Sequence, residues 1–536
     1  MPTNFSRRWL TGASAIAMGV SVALAGLMPA SAQADTTTLT AVMNGNLRSL
    51  DPTVSTAQIV RTHGFMVYDT LLGMDEHYQP QPQMAEYDVS EDGLVYTFTL
   101  RDGLLWHDGT PVTADDCVAS LERWGRYDST GGMMMGVVDS IEAISDTQFV
   151  LTLSEPFGHV LQLIAKPSPI PPFMMPRHLA ETPDGEQIPE QIGSGPFRFV
   201  AEEFRPGDRV VYVRNDDYLP RDEPSSWTAG GKVVHVDRVV WQSMPDLQTA
   251  INALGSGDID FIEQLPHDLA QVTAALPNVE VGIVRPVGMQ ITGRMNHTLA
   301  PFDDVEVRQA ALLALDPEEM IQASIGNPDY YSVCASIYGC GTPLASDAGS
   351  EWLFGDGRRD RARELLAASS YDGTPLILLQ QTELPAFSPQ PLLAAQRLRE
   401  VGFNVEVQSV DWQTQLNRQN SRVPVSEGGW NMIFSAWGIT GIWDPLISTV
   451  INASGTGRAW AGWPVDEELE ALRREFASTT DPDAQQSIAR AVQERVLEQV
   501  IYLPMGEYDI VSAWRDSVQN MPAGPLTLFW SVSMSD

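Results

Sequence analysis

The stretch Leu100–Trp124, which reads LRDGLLWHDGTPVTADDCVASLERW, constrains the fold more than any other part of the chain. Residues 96–100 alternate apolar side chains with Thr, which is the pattern of a half-buried β-strand. Asp108–Pro111 has turn chemistry, because Gly tolerates positive φ and Pro fixes φ. Thr113 then predicts a helix N-terminus, with Asp116 three residues on as its capping partner. A strand, a turn and a capped helix therefore follow one another.

Helix and strand signals also alternate through the second half of the chain. Asp303–Leu315 and Leu392–Val401 have helical patterns, and Gly402 predicts the end of the second helix. Phe403–Val407 alternates as a strand, and Asp481-Pro482 predicts the start of another helix. This alternation predicts an α/β fold.

The N-terminus has the pattern of an export signal. Arg7 and Arg8 precede the apolar run Ala13–Leu27, and small residues near Ala32 and Ala34 offer cleavage sites. Residues 1–34 are therefore predicted to be a signal peptide, and the mature protein is expected in the periplasm. The arginine pair leaves both the twin-arginine and the general export route open.

Composition limits the classes of partner. The chain has 536 residues, 43% of them hydrophobic, which is enough for a large core and two lobes. The formal net charge is −36, with 33 basic and 69 acidic residues. Such a charge repels nucleic acid and anionic lipid surfaces, so no nucleic-acid partner is expected.

The cysteines, and the catalytic motifs that the sequence lacks, indicate which chemistry to expect of the chain. Cys334 and Cys340 flank a short loop in an exported chain, which predicts a disulfide, while a metal site is the weaker alternative because no His pair lies nearby. The sequence has no HExxH, GxSxG or Walker motif. We therefore expect no bound metal, no cofactor and no catalysis.

The block Leu100–Trp124 resembles the signature of the peptide-type, family 5 solute-binding proteins of ABC importers. Ile192–Phe199 (IGSGPFRF), Leu247–Phe261 (LQTAINALGSGDIDF) and Pro301–Asp316 (PFDDVEVRQAALLALD) are similar to further family motifs in the same order. The resemblance covers nearly the whole mature chain.

The resemblance implies a periplasmic-binding-protein-like α/β fold of the cluster C type, with two lobes, a ligand cleft between them and an extra subdomain on the first lobe. The implied boundaries are residues 35–290 for lobe I, about 81–190 for its subdomain, 291–508 for lobe II and 509–536 for the return to lobe I. The chain is expected to cross between lobes near Met289–Met295 and Met505–Val511.

The implied function is capture of a peptide-like or amine-bearing small solute and its delivery to ABC permease subunits, with the ATPase on a separate chain and the receptor a monomer. Relatives that bind opines, oligosaccharides or metal complexes leave the ligand class open. A signalling co-receptor would have the same fold. An exported hydrolase is disfavoured by the missing catalytic motifs.

Two acidic residues are candidate contacts for a ligand amine. Asp444 lies where peptide-binding relatives have an acid after a Trp, and the alternative is that it starts a turn before Pro445 or caps a helix. Ile439 and Thr440 replace a second acid that is common in that loop. Glu383 lies where dipeptide-binding relatives have an Arg, and the alternative is an exposed loop residue.

Aromatic and Met side chains are candidate walls of the cleft. Trp437 and Trp443 flank the Asp444 loop, and Trp412 belongs to the same Trp-rich region. Met289 lies at the first expected crossing, and Met133 lies in a Met triplet between glycines. For each of them, packing in the core is the alternative.

Overall fold

Helices and strands alternate along the chain in the computed structural model, which describes residues 36–383, 388–456 and 459–535. The predicted signal peptide, residues 1–34, lies outside the described residues. From Thr37 onward the chain forms one compact unit. Among the described residues, no helix has the length and apolar character that crossing a membrane requires.

The strands vary widely in length, and two of them are much longer than the rest. In chain order they are β1 (Thr38–Val42), β2 (Asp69–Thr70), β3 (Leu72–Met74), β4 (Pro80–Pro82), β5 (Ala85–Val89), β6 (Val95–Leu100), β7 (Val138–Ser145), β8 (Gln148–Leu153), β9 (Phe173–Met174), β10 (Phe197–Phe199), β11 (Arg209–Arg214), β12 (Arg238–Gln242), β13 (Phe261–Ile262), β14 (Val279–Met295), β15 (Tyr331–Ser332), β16 (Leu376–Gln381), β17 (Val405–Val410), β18 (Met432–Gly438), β19 (Leu503–Arg515), β20 (Val518–Gln519) and β21 (Ser533–Met534).

The helices lie between these strands. They are α1 (Gln58–Val67), α2 (Ala114–Tyr127), α3 (Ser129–Met135), α4 (Val160–Ala165), α5 (Arg177–Ala180), α6 (Leu247–Ser256), α7 (His267–Ala274), α8 (Val305–Ala314), α9 (Pro317–Ile325), α10 (Arg358–Ala368), α11 (Gln390–Val401), α12 (Trp412–Gln419), α13 (Glu467–Ser478) and α14 (Pro482–Glu498). Short 3-10 helices lie at Ala201–Glu203, Pro328–Tyr330, Ser350–Trp352, Val425–Glu427, Ile439–Gly441 and Thr449–Ile451.

The largest sheet runs through both halves of the chain. Its order is β10-β11-β12-β1-β13-β19-β14-β18-β16-β17, with β15 paired to β19. Strand β1 is parallel to β12 and β13, and β16 is parallel to β17 and β18. Such parallel pairs need crossover connections, which the intervening helices provide.

The long strands β14 and β19 connect the two halves of this sheet. They are antiparallel to each other, and β19 also pairs with β13, with Ile262 opposite Ala513. At its other end β14 pairs with β18, with Met289 opposite Gly438. The crossings expected near Met289–Met295 and Met505–Val511 lie within these two strands. The lobe boundaries drawn at 290 and 508 stay predictions.

A separate four-stranded antiparallel sheet, in the order β5-β6-β8-β7, lies within the region predicted to be the extra subdomain. The rings of Phe98 and Phe149 stack across β6 and β8 with centroids 5.0 Å apart. Helix α2 begins after Thr113, whose hydroxyl accepts from the Asp116 N–H while the Asp116 carboxylate accepts from the Thr113 N–H. The predicted capping box is therefore confirmed.

Backbone contact between β14 and β19 is close at Gly288. A Cβ built on Gly288 would collide with the carbonyl oxygen of Tyr508 and lie 3.1 Å from its carbonyl carbon. Because both contacts are backbone atoms, a side chain here must push the crossing strands apart. On the neighbouring strand, a Cβ on Gly438 would lie 3.7 Å from the sulfur of Met289, which is ordinary van der Waals contact.

We therefore predict that Gly288→Ala lowers the free energy of unfolding by about 1–3 kcal/mol, because it overpacks the strand pair. The matched change Gly438→Ala should alter the free energy of unfolding by less than about 0.5 kcal/mol. Urea denaturation followed by tryptophan fluorescence measures both. Equal stabilities of the two variants would contradict the strand contact as the cause.

Candidate functional site

A cavity of about 740 Å³ lies where the two halves of the chain meet the crossing strands. Asn44 and His267, from the first half, form one side of its lining. Arg285 on β14 and Tyr508 on β19 contribute from the crossings, and Trp412 contributes from the second half. A concavity of this size, lined by both apolar and polar side chains, is typical of small-molecule binding sites.

Three of the residues predicted from the sequence line this cavity: Met289, Glu383 and Trp412. Met289 lies on β14 opposite Gly438, the last residue of β18. The carboxylate of Glu383 accepts a hydrogen bond from the backbone N–H of Trp412 at 3.1 Å, which brings the acid and the indole together at the edge of the cavity. The structure therefore places an anionic group and an aromatic wall side by side.

Asp444 lies elsewhere and is almost completely buried, with 3% of its surface exposed. Its Oδ1 accepts the backbone N–H groups of Leu446 at 2.6 Å and Ile447 at 3.2 Å. Its Oδ2 lies 4.0 Å from Nδ1 of His159. These contacts support the alternative reading of Asp444 as the residue that starts a turn, and the structure does not bring it together with Glu383 in the cavity lining.

Trp437, Trp443 and Met133 also lie outside the lining of this cavity. The rings of Trp437 and Trp460 pack edge to face, 5.4 Å apart. Trp443 is buried, and its ring lies 5.1 Å from that of Tyr78, a residue of the first half. Met133 lies on α3 and is 36% exposed. Packing, including one aromatic contact between the halves, accounts for Trp437 and Trp443, whereas Met133 is exposed.

The sequence reasoning missed Arg285, Tyr508 and His267. Arg285 is only 3% exposed, and burial lowers the pKa of its guanidinium while the nearby Glu263 carboxylate raises it. Burial raises the pKa of Tyr508. Nε2 of His267 lies 2.9 Å from the carbonyl oxygen of Asp509 and donates to it. Arg285 had one local signal, a lone charge within the apolar run VGIVRPVGM.

A disulfide joins Cys334 and Cys340 beside the second crossing strand. Both carboxylate oxygens of Glu507 accept the backbone N–H of Cys340 at 3.0 Å, and one accepts from the Gln290 amide at 3.1 Å. The two sulfurs and a Glu507 oxygen lie within 4.8 Å of one another. Because the sulfurs are bonded to each other, they offer no thiolate ligands to a metal.

Comparison with known proteins identifies the fold and the family signature. The model of bacterial extracellular solute-binding proteins, family 5 middle, matches residues 79–459. A probable peptide ABC transporter periplasmic-binding protein of Sinorhizobium fredii is 37% identical over 490 residues, covering 91% of this chain and 92% of the relative.

Solved structures agree at the level of fold. An ABC transporter substrate binding protein of Listeria monocytogenes superposes with a TM-score of 0.77 at 22% identity, over 94% of this chain and all of the other. A periplasmic binding protein of Helicobacter pylori, in complex with a peptide, gives 0.75 at 19% identity, over 93% and 98%. The predicted two-lobed α/β fold is therefore confirmed.

Glu507 gives a pH-dependent prediction. Burial, and secondarily Asp509, raises the pKa of Glu507 to about 7, against hydrogen bonds from Cys340 and Gln290 that lower it. The folded chain therefore binds a proton that the unfolded chain releases above pH 4.5. This proton adds stability below about pH 4.5, and the added stability is lost as pH rises through about 7.

We predict that Glu507→Gln abolishes this loss, which in the unmodified protein reaches about 3 kcal/mol between pH 4.5 and 8. Thermal unfolding across that pH range measures the difference between the two proteins. Glu155 is exposed, so Glu155→Gln is the matched control, and it should leave the dependence of stability on pH unchanged. Parallel pH profiles for the Glu507 variant and the unmodified protein would contradict the assignment.

Proposed function

Because the chain belongs to family 5 of the bacterial extracellular solute-binding proteins, we propose that it captures a peptide-like or amine-bearing small solute in the cavity between its lobes and delivers it to an ABC permease. The observation that carries this proposal is the cavity of about 740 Å³, lined from both halves and from the two crossing strands. A site built this way changes shape when the lobes move, which suits capture and release.

The cavity edge supports binding of a cationic group. Glu383 and Asp268 both line the cavity and both are exposed. A carboxylate is the natural partner of an ammonium group, and the hydrogen bond from the Trp412 N–H holds Glu383 in place. Trp412 adds an aromatic face to the same edge. We assign the solute's amine to Glu383 and its apolar part to Trp412.

The partners and location follow from the family and the sequence. Family membership implies an extracytoplasmic location. We propose export by the signal in residues 1–34 and residence in the periplasm as a monomer that performs no catalysis. Its proposed protein partners are the permease subunits of an importer whose ATPase is a separate chain, and the net charge of −36 disfavours nucleic acid.

A thermal-shift screen of the mature protein tests the proposal. The panel holds di- and tripeptides, glutathione, opines, polyamines, oligosaccharides and nickel–histidine complexes. A solute at a hundred times its Kd should add about 2.7 kcal/mol of stability. Cells should also lose uptake of a solute that binds when the gene of the permease is deleted. Normal uptake in the permease deletion would contradict a transport role, and turnover of the solute by the purified protein would contradict the absence of catalysis.

We predict that Glu383→Gln weakens binding of an amine-bearing hit about tenfold, the loss of one charge-assisted hydrogen bond. Asp444→Asn is the matched control, because the amide oxygen still accepts from Leu446 and Ile447. Isothermal titration calorimetry measures both Kd values. Loss of binding in Asp444→Asn with none in Glu383→Gln would reverse the assignment.

A further inference from the structure

The guanidinium of Arg285 is buried at the cavity wall, and none of the described residues accepts a hydrogen bond from it. Its side chain is 3% exposed and lines the cavity. Its Nε is a buried donor without an acceptor. Within residues 36–383, 388–456 and 459–535, no carboxylate lies within ion-pair distance of it. Desolvating a cation without a partner is costly, so this group needs an explanation.

The nearest acid does not neutralise Arg285 directly. Glu263 is 1% exposed, and its carboxylate already accepts from the Asn44 N–H at 2.7 Å, the Gln58 amide at 3.1 Å and the Thr527 hydroxyl at 2.7 Å. Arg61 is a second cation near Arg285, and its pKa is lowered to about 10, by burial first and by Arg285 second. Arg285 is therefore not directly paired with an acid among the described residues.

Two other buried arginines of the chain, Arg294 and Arg123, have acceptors for their guanidinium groups. Arg294 is 0% exposed and donates to four backbone carbonyl groups at 2.5–3.3 Å. Arg123, also 0% exposed, forms an ion pair with Asp51 at 2.7 Å and donates to Thr53 and Thr182. The contrast separates Arg285 from arginines that hold the fold together. Arg285 lines the cavity, and no carbonyl or carboxylate of the described residues accepts a hydrogen bond from its guanidinium.

The strand pairing places a second polar group beside Arg285. Arg285 lies opposite Ile510 on β19, and Tyr508 is two residues from Ile510. Alternate residues of a strand share a face of the sheet, and Arg285, Tyr508 and Ile510 all line the cavity. The Tyr508 phenol is buried there at 4% exposure. A guanidinium and a phenol on one wall suit a planar anion such as a carboxylate.

We propose that Arg285 binds a carboxylate group of the transported solute, so that the solute is a zwitterion or an acid and not a simple amine. This deepens the proposed function and rests on it. Arg285 would donate two parallel hydrogen bonds to the carboxylate from the crossing strand, while Glu383 receives the amine at the cavity edge. Arg285 lies on β14 between two register shifts in the pairing of β14 with β19. The bound carboxylate would therefore contact the segment that joins the lobes.

The test compares an acid with its amide. The probes are Ala-Leu and glutathione with free carboxylates and the same compounds as carboxamides, titrated calorimetrically into the unmodified protein, Arg285→Gln and Arg490→Gln. Arg490 has a 55% exposed side chain and provides the same change of net charge. We expect the unmodified protein and Arg490→Gln to favour the free acid between about ten- and a hundredfold. Arg285→Gln should reduce this preference below about threefold.

Equal preference for acid over amide in Arg285→Gln and the unmodified protein would overturn the proposal while leaving the receptor function intact. Failure of the whole solute panel to bind would instead count against the receptor function itself.

A second experiment does not require the transported solute to be known. Because Arg285→Gln removes a buried cation without a partner, it should raise the unfolding midpoint of the solute-free protein. Sodium acetate should raise the midpoint of the unmodified protein above that in sodium chloride of equal ionic strength, and this difference should vanish in Arg285→Gln. A lower midpoint for Arg285→Gln in solute-free buffer would identify a structural arginine and overturn the proposal.

Discussion

The antiparallel pairing of β14 with β19 is the constraint on which the rest of the structure depends. The same two strands extend the sheet of the first half through β13 and that of the second half through β18. Their pairing is interrupted by register shifts near Arg285 and Met289, and Gly288 allows their backbones to approach closely. Bulges bend and twist a strand pair, so the connection between lobes is regular at its ends and irregular beside the cavity.

Burial acts in opposite directions on the charges along these strands. It lowers the pKa of Arg285 and raises the pKa of Glu507, since desolvation disfavours the charged form of each. Glu507 recovers part of this cost through hydrogen bonds from Cys340 and Gln290. Arg285 has no such bonds among the described residues. Hydrogen bonds within the protein therefore stabilise the Glu507 side chain on β19. On β14, by contrast, Arg285 keeps a donor without an acceptor at the cavity.

Local chemistry explains which parts of the fold could be predicted. The caps at Thr113 and Asp481 and the stop at Gly402 depend on neighbouring residues, and the structure has them all. The apolar run Val500–Leu503 joins β19 only at Leu503, because Val500 adopts a φ of 50°, which a strand does not accommodate. Propensity alone does not reveal such a turn.

The site was predictable only in part, because its walls come from segments far apart in sequence. Glu383 was found through a family resemblance and Trp412 through its Trp-rich region. Asp444 and Trp443 were candidates on the same two grounds, but they lie buried in other contacts. Arg285 has no neighbour in sequence that marks it as unsatisfied. The chain's two lysines illustrate the same limit: Lys166 and Lys232 look incidental in the sequence, yet each is buried and paired with an Asp.

Closure of a two-lobed receptor is favoured only as far as the solute binds the closed form better than the open one. Arg285 is only 3% exposed, so the cost of desolvating its guanidinium is present whether or not a solute has entered the cavity. A carboxylate on the solute offsets that cost, and an uncharged solute does not. In the proposed function, the Arg285 guanidinium, which has no acceptor among the described residues, disfavours closure without a solute, and a carboxylate on the solute removes this obstacle.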